Sequence, residues 1–198
     1  LVLVLGGVWA GVYYKDAIFN SYDTFTQKVN KNVELVKKTD IGKTVGEITK
    51  NIVAPGPLNI GGQQNSVVLL KAKIIAQTNV ARFDNGGLPP LIENVKLNAA
   101  AKAKADDMFK NQYFEHVSPS GVNPGSLVKS YGYDYIISGE NLILGNFKDE
   151  KEVVTDWMNS PGHRANILNN RFADIGVAVV KGEYKGETVW ISVQEFGL

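Results

Sequence analysis

The sequence predicts an α+β fold for its larger, C-terminal part, because helical patterns come first and a β-hairpin comes last. Between residues 67 and 159 the apolar side chains recur mainly at helical spacing. Residues 173–197 instead alternate apolar and polar side chains on both sides of a Lys/Gly/Glu turn. Helices followed by an antiparallel hairpin are typical of an α+β domain rather than of a repeating βαβ sheet.

The first fourteen residues, LVLVLGGVWAGVYY, carry no charge and are followed by Lys15 and Asp16. As a helix they would span about 21 Å, against roughly 30 Å for the hydrocarbon core of a bilayer. The chain starts at Leu1 without a Met, so we expect part of this segment to lie upstream. We predict that residues 1–14 are the end of a transmembrane helix, with a signal-peptide remnant or a buried core helix as alternatives.

Residues 15–38 carry one apolar stripe at helical spacing, which predicts an amphipathic helix. The members of the stripe are spaced by three or four positions and are Ile18, Tyr22, Phe25, Val29, Val33 and Val36. The stripe covers fewer than three heptads, which is short for a coiled coil. We therefore expect a helix that continues from the membrane segment, with self-association through residues 18–36 as the alternative.

The stretch up to residue 65 is rich in residues that interrupt regular structure. It contains Pro55-Gly56-Pro57, Gly61-Gly62 and Gln63-Gln64, and no strong period persists along it. We predict a linker here and a domain boundary near Ser66. Residues 15–65 are thus expected to form an amphipathic helix and a linker, and residues 66–198 the globular domain.

The globular domain is predicted to contain four helices, a mixed segment and a hairpin. The helical stretches are VVLLKAKIIAQTNVAR, KLNAAAKAKADDMFKNQ, NPGSLVKSYG and DEKEVVTDWMNS. In the last of them Asp149 and Glu152 have capping-box spacing. Before it, YIISGENLIL has β-branched residues ahead of Gly139 and is expected to be partly strand. The alternating residues of the predicted hairpin are Val177, Val179, Val189, Ile191 and Val193.

The composition excludes several classes of function. Residues 1–65 and 66–198 carry formal net charges of +2 and −1, and neither part has a basic stripe, so we expect no nucleic-acid partner. The chain contains no cysteine. A disulfide scaffold, a thiolate metal site and a cysteine nucleophile are therefore excluded.

The two histidines of the chain both lie in stretches rich in Ser, Pro, Gly or Asn. His116 is in YFEHVSPSG and His163 is in NSPGHRANIL. Such composition is typical of loops, and loops on a rigid scaffold often carry functional residues. Glu140 is a further polar residue between apolar segments. It is separated from the two histidines by 24 and 23 residues, so a shared site would have to be assembled by the fold.

The order of motifs TNVAR, GLPPL, LNAAAKAKADDM, YFEHVSPSG, GENL, WMNSPGHRANILN, DIGVAVV and VQEFG resembles the CAP superfamily. This family of SCP-like extracellular domains includes cysteine-rich secretory proteins, antigen five and plant pathogenesis-related proteins, and the resemblance is closest to its bacterial, cysteine-free branch. The resemblance covers about residues 67–198. It implies a three-layer α-β-α sandwich with a cleft lined by His116, Glu140 and His163. Many animal and plant members have another carboxylate three residues after the Trp, where this chain has Ser160.

Three interpretations of this set remain open. Two imidazoles and one carboxylate match a His₂Glu zinc site, in which His116, Glu140 and His163 would activate a water for hydrolysis, although no HExxH motif is present. Without a metal, Glu140 would pair with one imidazole and leave the other as an acid or base. In a structural role, the cluster would tie HVSPSG and SPGHR to the sheet. No nucleophile is obvious, because Ser118 and Ser120 are expected to cap a turn.

Neighbouring residues have simpler expected roles. Trp157 is expected in the core, Asn141 beside Glu140 is expected to bind backbone, and Asn166 is expected to close the turn after the helix. Arg164 is expected either to pair with an acidic group or to face solvent.

The sequence thus predicts a membrane-anchored or exported bacterial protein that acts outside the cytoplasm as a binding module rather than an enzyme. Its expected partners are the membrane, through residues 1–14, and a wall polymer, lipid or protein at the cleft. A secreted form is the alternative location. A divalent-metal-dependent hydrolase of peptide, wall or lipid substrates is the alternative function.

Overall fold

The computed structural model describes residues 55–61 and 68–198 of the chain. The predicted membrane segment 1–14, the apolar stripe of residues 18–36 and most of the predicted linker lie outside the described residues. In the part of the chain that is described, we find no helix with the length and apolarity that a membrane crossing requires.

The described residues form five helices and one five-stranded sheet, which confirms the predicted mixed α+β class. The helices are α1 (Lys71–Asp84), α2 (Val95–Asn111), α3 (Pro124–Ser130), α4 (Glu150–Asn159) and α5 (Pro161–Ile167). The strands are β1 (Leu58–Gly61), β2 (Ile92–Glu93), β3 (Ser138–Gly145), β4 (Asp174–Tyr184) and β5 (Glu187–Gly197). Their order across the sheet is β1-β3-β5-β4-β2.

The hairpin of β4 and β5 forms the centre of the sheet, as the alternating pattern predicts. Its turn lies at Lys185 and Gly186, which both have positive φ, at 49° and 86°. On its other side β5 pairs in antiparallel register with β3. Because β5 has strands on both sides and helices on both faces, its residues from Val189 to Gly197 are all buried.

Helices pack on both faces of this sheet. One face carries an apolar cluster that includes Ile74 of α1, Trp157 of α4 and Ile167 of α5. The other face is covered by α2, whose apolar side is buried and includes Leu97, Ala101, Ala105 and Met108. Gly176 of β4 permits the close approach of α2, since a Cβ there would lie 2.1 Å from the backbone carbonyl carbon of Leu97.

The two outer strands were not predicted from the sequence. Residues 58–61 lie in the predicted linker, yet they pair in parallel with β3, with Leu58 opposite Ile143. The prediction that this segment lacks regular structure is wrong for these four residues. A strand of only four residues that contains Asn and Gly is too short to give a clear period-two signal. The strand β2 has just two residues, which is below the length of any detectable pattern.

The histidine segment NSPGHRANIL is helical over most of its length, whereas its composition is typical of a loop. Pro161 occupies the first turn of α5. Proline is favoured there because its missing N–H would have had no partner within the helix. His163 therefore lies on a short helix, while His116 lies in the irregular segment between α2 and α3, as predicted.

Candidate functional site

The candidate site lies at the sheet edge near the start of β3. Glu140 is the third residue of β3, and its carboxyl group is fully buried. The segment after α2 brings His116 to this carboxyl group, with 2.5 Å between His116 Nδ1 and Glu140 Oε1. The imidazole of His116 keeps 12% of its surface exposed. The fold thus joins two of the three predicted site residues in direct contact.

His163 lies near this pair without a hydrogen bond to either member. Its residue exposure is 1%, and its Nδ1 is 2.8 Å from Ser160 Oγ. Its Nε2 has no hydrogen-bond partner among the described residues. Burial, and then the charge of His116, lower the pKa of His163 to about 4. The ring of His163 is therefore neutral at pH 7.

Ser160 occupies the position at which the family resemblance predicts a carboxylate. Its hydroxyl group contacts the imidazole of His163. Ser160 precedes α5 as its N-cap residue, but its hydroxyl group makes no capping hydrogen bond. That hydroxyl group instead contacts His163 Nδ1. A carboxylate at this distance would favour the charged imidazolium, whereas a neutral hydroxyl group does not. The departure from the family pattern therefore helps to keep His163 uncharged.

Glu195 is a second carboxyl group of the site, and it was not predicted from the sequence. It lies directly opposite Glu140 in the β3–β5 register and is fully buried. Burial, and then the charge of Glu140, raise the pKa of Glu195 well above its usual value. In its protonated form Glu195 supplies the donor that Glu140 Oε2 otherwise lacks among the described residues. A lone acidic residue within the apolar strand pattern of VQEFG was the available sequence signal.

Lys104 provides a buried positive charge next to these carboxyl groups, and it too was missed. It lies on α2 with 3% exposure. Its Nζ donates to the backbone oxygen of His116 at 2.7 Å and to the hydroxyl group of Tyr113 at 3.2 Å. Burial lowers the pKa of Lys104, while the charges of Glu140 and Glu195 oppose that shift. Lys104 thereby fixes the segment that carries His116.

A buried amide network on the opposite face of the sheet fixes the position of α5. Asn141 Nδ2 donates to the backbone oxygen of His163 at 3.2 Å and to Gln194 Oε1 at 3.1 Å. Asn166 Nδ2 donates to Asn141 Oδ1 at 2.9 Å and to the backbone oxygen of Glu140 at 3.2 Å. Asn141 thus binds backbone as predicted, and the side chain of Asn166 ties α5 to β3.

The remaining residues singled out from the sequence have structural roles. Trp157 is fully buried in the core. Arg164 is exposed, and its Nη1 donates to the backbone oxygen of Met158 at 3.2 Å. Ser118 Oγ lies 2.8 Å from Ser120 Oγ and accepts a hydrogen bond from a backbone N–H of the same loop. The two serines therefore shape the turn, as expected.

Residues 55–61, which we call the strap, close the site along the sheet edge. His116 Nε2 donates a hydrogen bond to the backbone oxygen of Pro55. The ring of Pro55 also rests on the start of α5, since a Cβ on Gly162 would lie 2.5 Å from Pro55 Cβ. The strap therefore contacts both the segment that carries His116 and the helix that carries His163.

The geometry does not support the predicted His₂Glu zinc site. Among the described residues, no three His, Cys, Asp or Glu side chains are grouped so that they could hold a metal ion. The two ring nitrogens of His116 are taken by Glu140 and by the backbone oxygen of Pro55. The Nδ1 of His163 is taken by Ser160.

The sequence model of the Cysteine-rich secretory protein family, CAP, matches residues 75–196. This chain belongs to the CAP family. It has no cysteine, in keeping with the bacterial, cysteine-free branch that the motifs indicate. The site described above therefore lies in a CAP domain.

Two curated relatives come from Bacillus subtilis (strain 168). The uncharacterized protein YkwD is 36% identical over 164 residues, which cover 77% of this chain and 63% of YkwD. The uncharacterized membrane protein YlbC is 32% identical over 112 residues, which cover 57% of this chain and 32% of YlbC. The chain thus spans less than two thirds of the length of either relative.

Two solved structures have a similar fold. An extracellular protein with an SCP domain from Bacillus anthracis str. Ames has a TM-score of 0.54 and 29% identity, over 64% of this chain and 39% of that chain. An outer surface protein of Borrelia burgdorferi has a TM-score of 0.53 and 23% identity, over 64% of this chain and 90% of that chain. At that identity the second likeness shows the fold alone.

Proposed function

We propose that this CAP domain is a binding module of a bacterial cell envelope, which acts outside the cytoplasm and recognises its ligand at the site of His116, Glu140 and His163. The Bacillus anthracis relative is extracellular, and YlbC is a membrane protein. The predicted apolar segment 1–14 would anchor the domain to the membrane, or would direct its export in a secreted form.

The observation that carries this proposal is the buried Nε2 of His163, which has no hydrogen-bond partner among the described residues. The carboxyl oxygens of Glu140 and Glu195, in contrast, satisfy each other when Glu195 is protonated. Leaving a buried polar atom such as His163 Nε2 unpaired costs about 1–3 kcal/mol. A polar ligand that forms a hydrogen bond with this nitrogen would recover that cost.

The same contacts favour binding over hydrolysis. A metal-dependent hydrolase would need ring nitrogens of His116 and His163 free to bind the metal, but three of the four are already paired in the structure. The hydroxyl group of Ser118 is used within its own turn. No contact among the described residues specifically favours the hydrolase alternative.

The proposal is tested with isolated cell envelopes of Bacillus subtilis, the organism of the curated relatives. We expect the full chain to sediment with these envelopes, and the double variant Glu140→Gln/His163→Gln to bind about tenfold more weakly, as the loss of one hydrogen bond to a charged group implies. The exposed-turn variant Lys185→Ala is the control and should bind as the parent does. If the double variant sediments like the parent, the site does not recognise an envelope component.

The location is tested separately on intact cells that express the full chain. External protease should cleave residues 66–198 without lysis, because the proposal places them outside the membrane. If the domain is cleaved only after lysis, the extracytoplasmic location is wrong.

A further inference from the structure

We propose that the edge of β3 beside His116 is a groove for an extended peptide segment of another protein, and that the strap is its resident intramolecular occupant. The inference rests on the proposed function and names the ligand class of the same site. The strap makes three kinds of contact that a linear peptide would make.

The first contact is main-chain pairing. Leu58 and Asn59 pair in parallel with Ile143 and Leu144. The other neighbour of β3 is β5, so removal of the strap would expose the backbone groups along the outer edge of β3. Addition of an extended peptide to an exposed sheet edge is a recurring mode of recognition, in which backbone hydrogen bonds supply affinity.

The second contact is the hydrogen bond from His116 to a peptide carbonyl group. A carbonyl oxygen can only accept, so the Nε2 of His116 carries a proton in its contact with Pro55. On the other side of the ring, Glu140 holds Nδ1 and thereby fixes the direction of Nε2. The imidazole is thus positioned to bind a backbone carbonyl group at the edge of the sheet.

The third contact is made by two side chains of the strap. Pro55 rests on Gly162, where any larger residue would collide with it. Leu58 is partly buried and packs against the apolar cluster that includes Ile143. Ile60, in contrast, is 46% exposed. The groove therefore selects a Pro-x-x-Leu pattern in an extended chain.

The size of the strap and its connection to the domain indicate which occupant could replace it. The strand β1 has four residues, and its register shifts between Asn59 and Gly61. Six residues join the strap to Val68, and so short a tether holds it at an effective concentration in the millimolar range. An identical segment from a second copy would make the same contacts without the advantage of the tether, so it would not displace the strap. The replacing occupant is therefore a linear segment of a different protein that makes better contacts.

The test uses the full chain and a fluorescent peptide PGPLNIG, which copies residues 55–61, with fluorescence anisotropy as the readout. Leu58→Glu weakens the resident strap but leaves the groove intact. It should bind the peptide at least about tenfold more tightly than the parent, because apparent affinity scales with the fraction of open groove. Ile60→Glu, at an exposed position, is the matched control and should behave as the parent. A peptide that itself carries the Leu58→Glu change should bind neither the parent protein nor the Leu58→Glu protein.

Two further arms keep the result decisive. Leu58→Ala is a milder variant, and circular dichroism checks that both variants stay folded. The addition of His116→Ala to Leu58→Glu should reduce peptide affinity again by about tenfold. The proposal of a peptide groove would be overturned if the parent and both Leu58 variants bound the peptide equally. It would also be overturned if His116→Ala had no effect on peptide affinity.

The remaining outcomes separate this inference from the proposed function. If no variant binds the peptide while envelope binding still depends on Glu140 and His163, the peptide groove fails and the proposed function stands. If the variants bind the peptide but envelope binding ignores Glu140 and His163, the proposed function fails. If light scattering shows a parent dimer that Leu58→Glu abolishes, the occupant is a second copy, and the partner assigned here is wrong.

Discussion

Glu140 and Glu195 lie directly opposite each other on β3 and β5, and both carboxyl groups are fully buried. Two carboxylates at such a site cannot easily both carry charge, so one of them keeps a proton. The pair lies beneath His116, whose Nδ1 contacts Glu140. The site thus combines an ionisable pair with an imidazole that points to the sheet edge.

The first prediction concerns Glu195→Gln, which should stabilise the protein at neutral pH. The folded-state pKa of Glu195 is raised, so the folded state holds its proton more tightly than the unfolded state, and stability falls as pH rises above the unfolded pKa of about 4.5. Gln cannot ionise, and its amide can donate to Glu140. Urea unfolding should show a gain of about 1–3 kcal/mol at pH 8 that shrinks towards pH 4.5.

The control for this prediction is Glu187→Gln at the exposed start of β5, where a change within about 0.5 kcal/mol is expected. A Glu195→Gln variant less stable than the parent at pH 8 would show that the buried carboxyl group is not a destabilising element.

A second prediction follows from the lowered pKa of His163, which is about 4 in the folded protein and about 6.5 when unfolded. Between these values the unfolded state binds the proton and the folded state does not. The contribution of His163 to stability is therefore present above pH 6.5 and is lost as pH falls towards 4, at up to about 1.4 kcal/mol per pH unit.

His163→Gln removes this titration. The variant should lose less stability than the parent between pH 7 and pH 5, as measured by urea unfolding. Parallel pH dependence of the two proteins would contradict the assignment of a buried neutral imidazole.

Ser160 is the subject of a third prediction, because its hydroxyl group is the partner of His163 Nδ1. Ser160→Asp places a carboxylate beside the ring and should raise the pKa of His163 by about one unit or more in an NMR titration. Ser160→Ala should instead lower the free energy of unfolding by about 1–3 kcal/mol, because a buried nitrogen loses its partner. Ser130→Ala, at an exposed helix end, is the control. An unchanged pKa in Ser160→Asp would be inconsistent with this contact.

The fourth prediction uses Gly162 to test whether the strap occupies the edge of the sheet. In an open helix, Ala is favoured over Gly by up to about 1 kcal/mol. Here a Cβ would collide with Pro55, so Gly162→Ala should destabilise the parent in thermal unfolding. In the Leu58→Glu background the same change should be neutral or stabilising. Equal effects in the two backgrounds would mean that Pro55 does not lie against α5 in solution.

Local patterns in the sequence predicted much of the fold. One half of the predicted capping box is present, since the backbone N–H of Glu152 donates to Asp149 Oδ1 at 2.8 Å, whereas the carboxylate of Glu152 accepts from the backbone N–H of Lys148. The β4–β5 hairpin is also observed. The cap and the hairpin were predictable because the residues that signal each of them lie close together in the sequence. The strap was missed because its contacts are non-local. Pro55 and His116 are 61 residues apart, and no short-range pattern predicts that pairing.

The site itself was predictable in part. The family resemblance predicted the site residues His116, Glu140 and His163. Which charged residues around them are buried depends on the phase of the helix and the register of the strands. Lys102 is exposed and pairs with Asp106, whereas Lys104, two residues later, is buried. The position of Lys104 on the apolar face of α2 was the signal that could have identified it. The opposition of Glu195 to Glu140 depends on sheet register, which the sequence does not specify.

Sedimentation with isolated Bacillus subtilis envelopes measures directly whether envelope binding depends on Glu140 and His163. Residues 1–14 are expected to have their own membrane affinity, so the decisive quantity is the ratio of bound parent to bound Glu140→Gln/His163→Gln at equal concentration. A ratio near ten, with Lys185→Ala equal to the parent, is the predicted result. A ratio of one would show that envelope binding does not depend on the buried site.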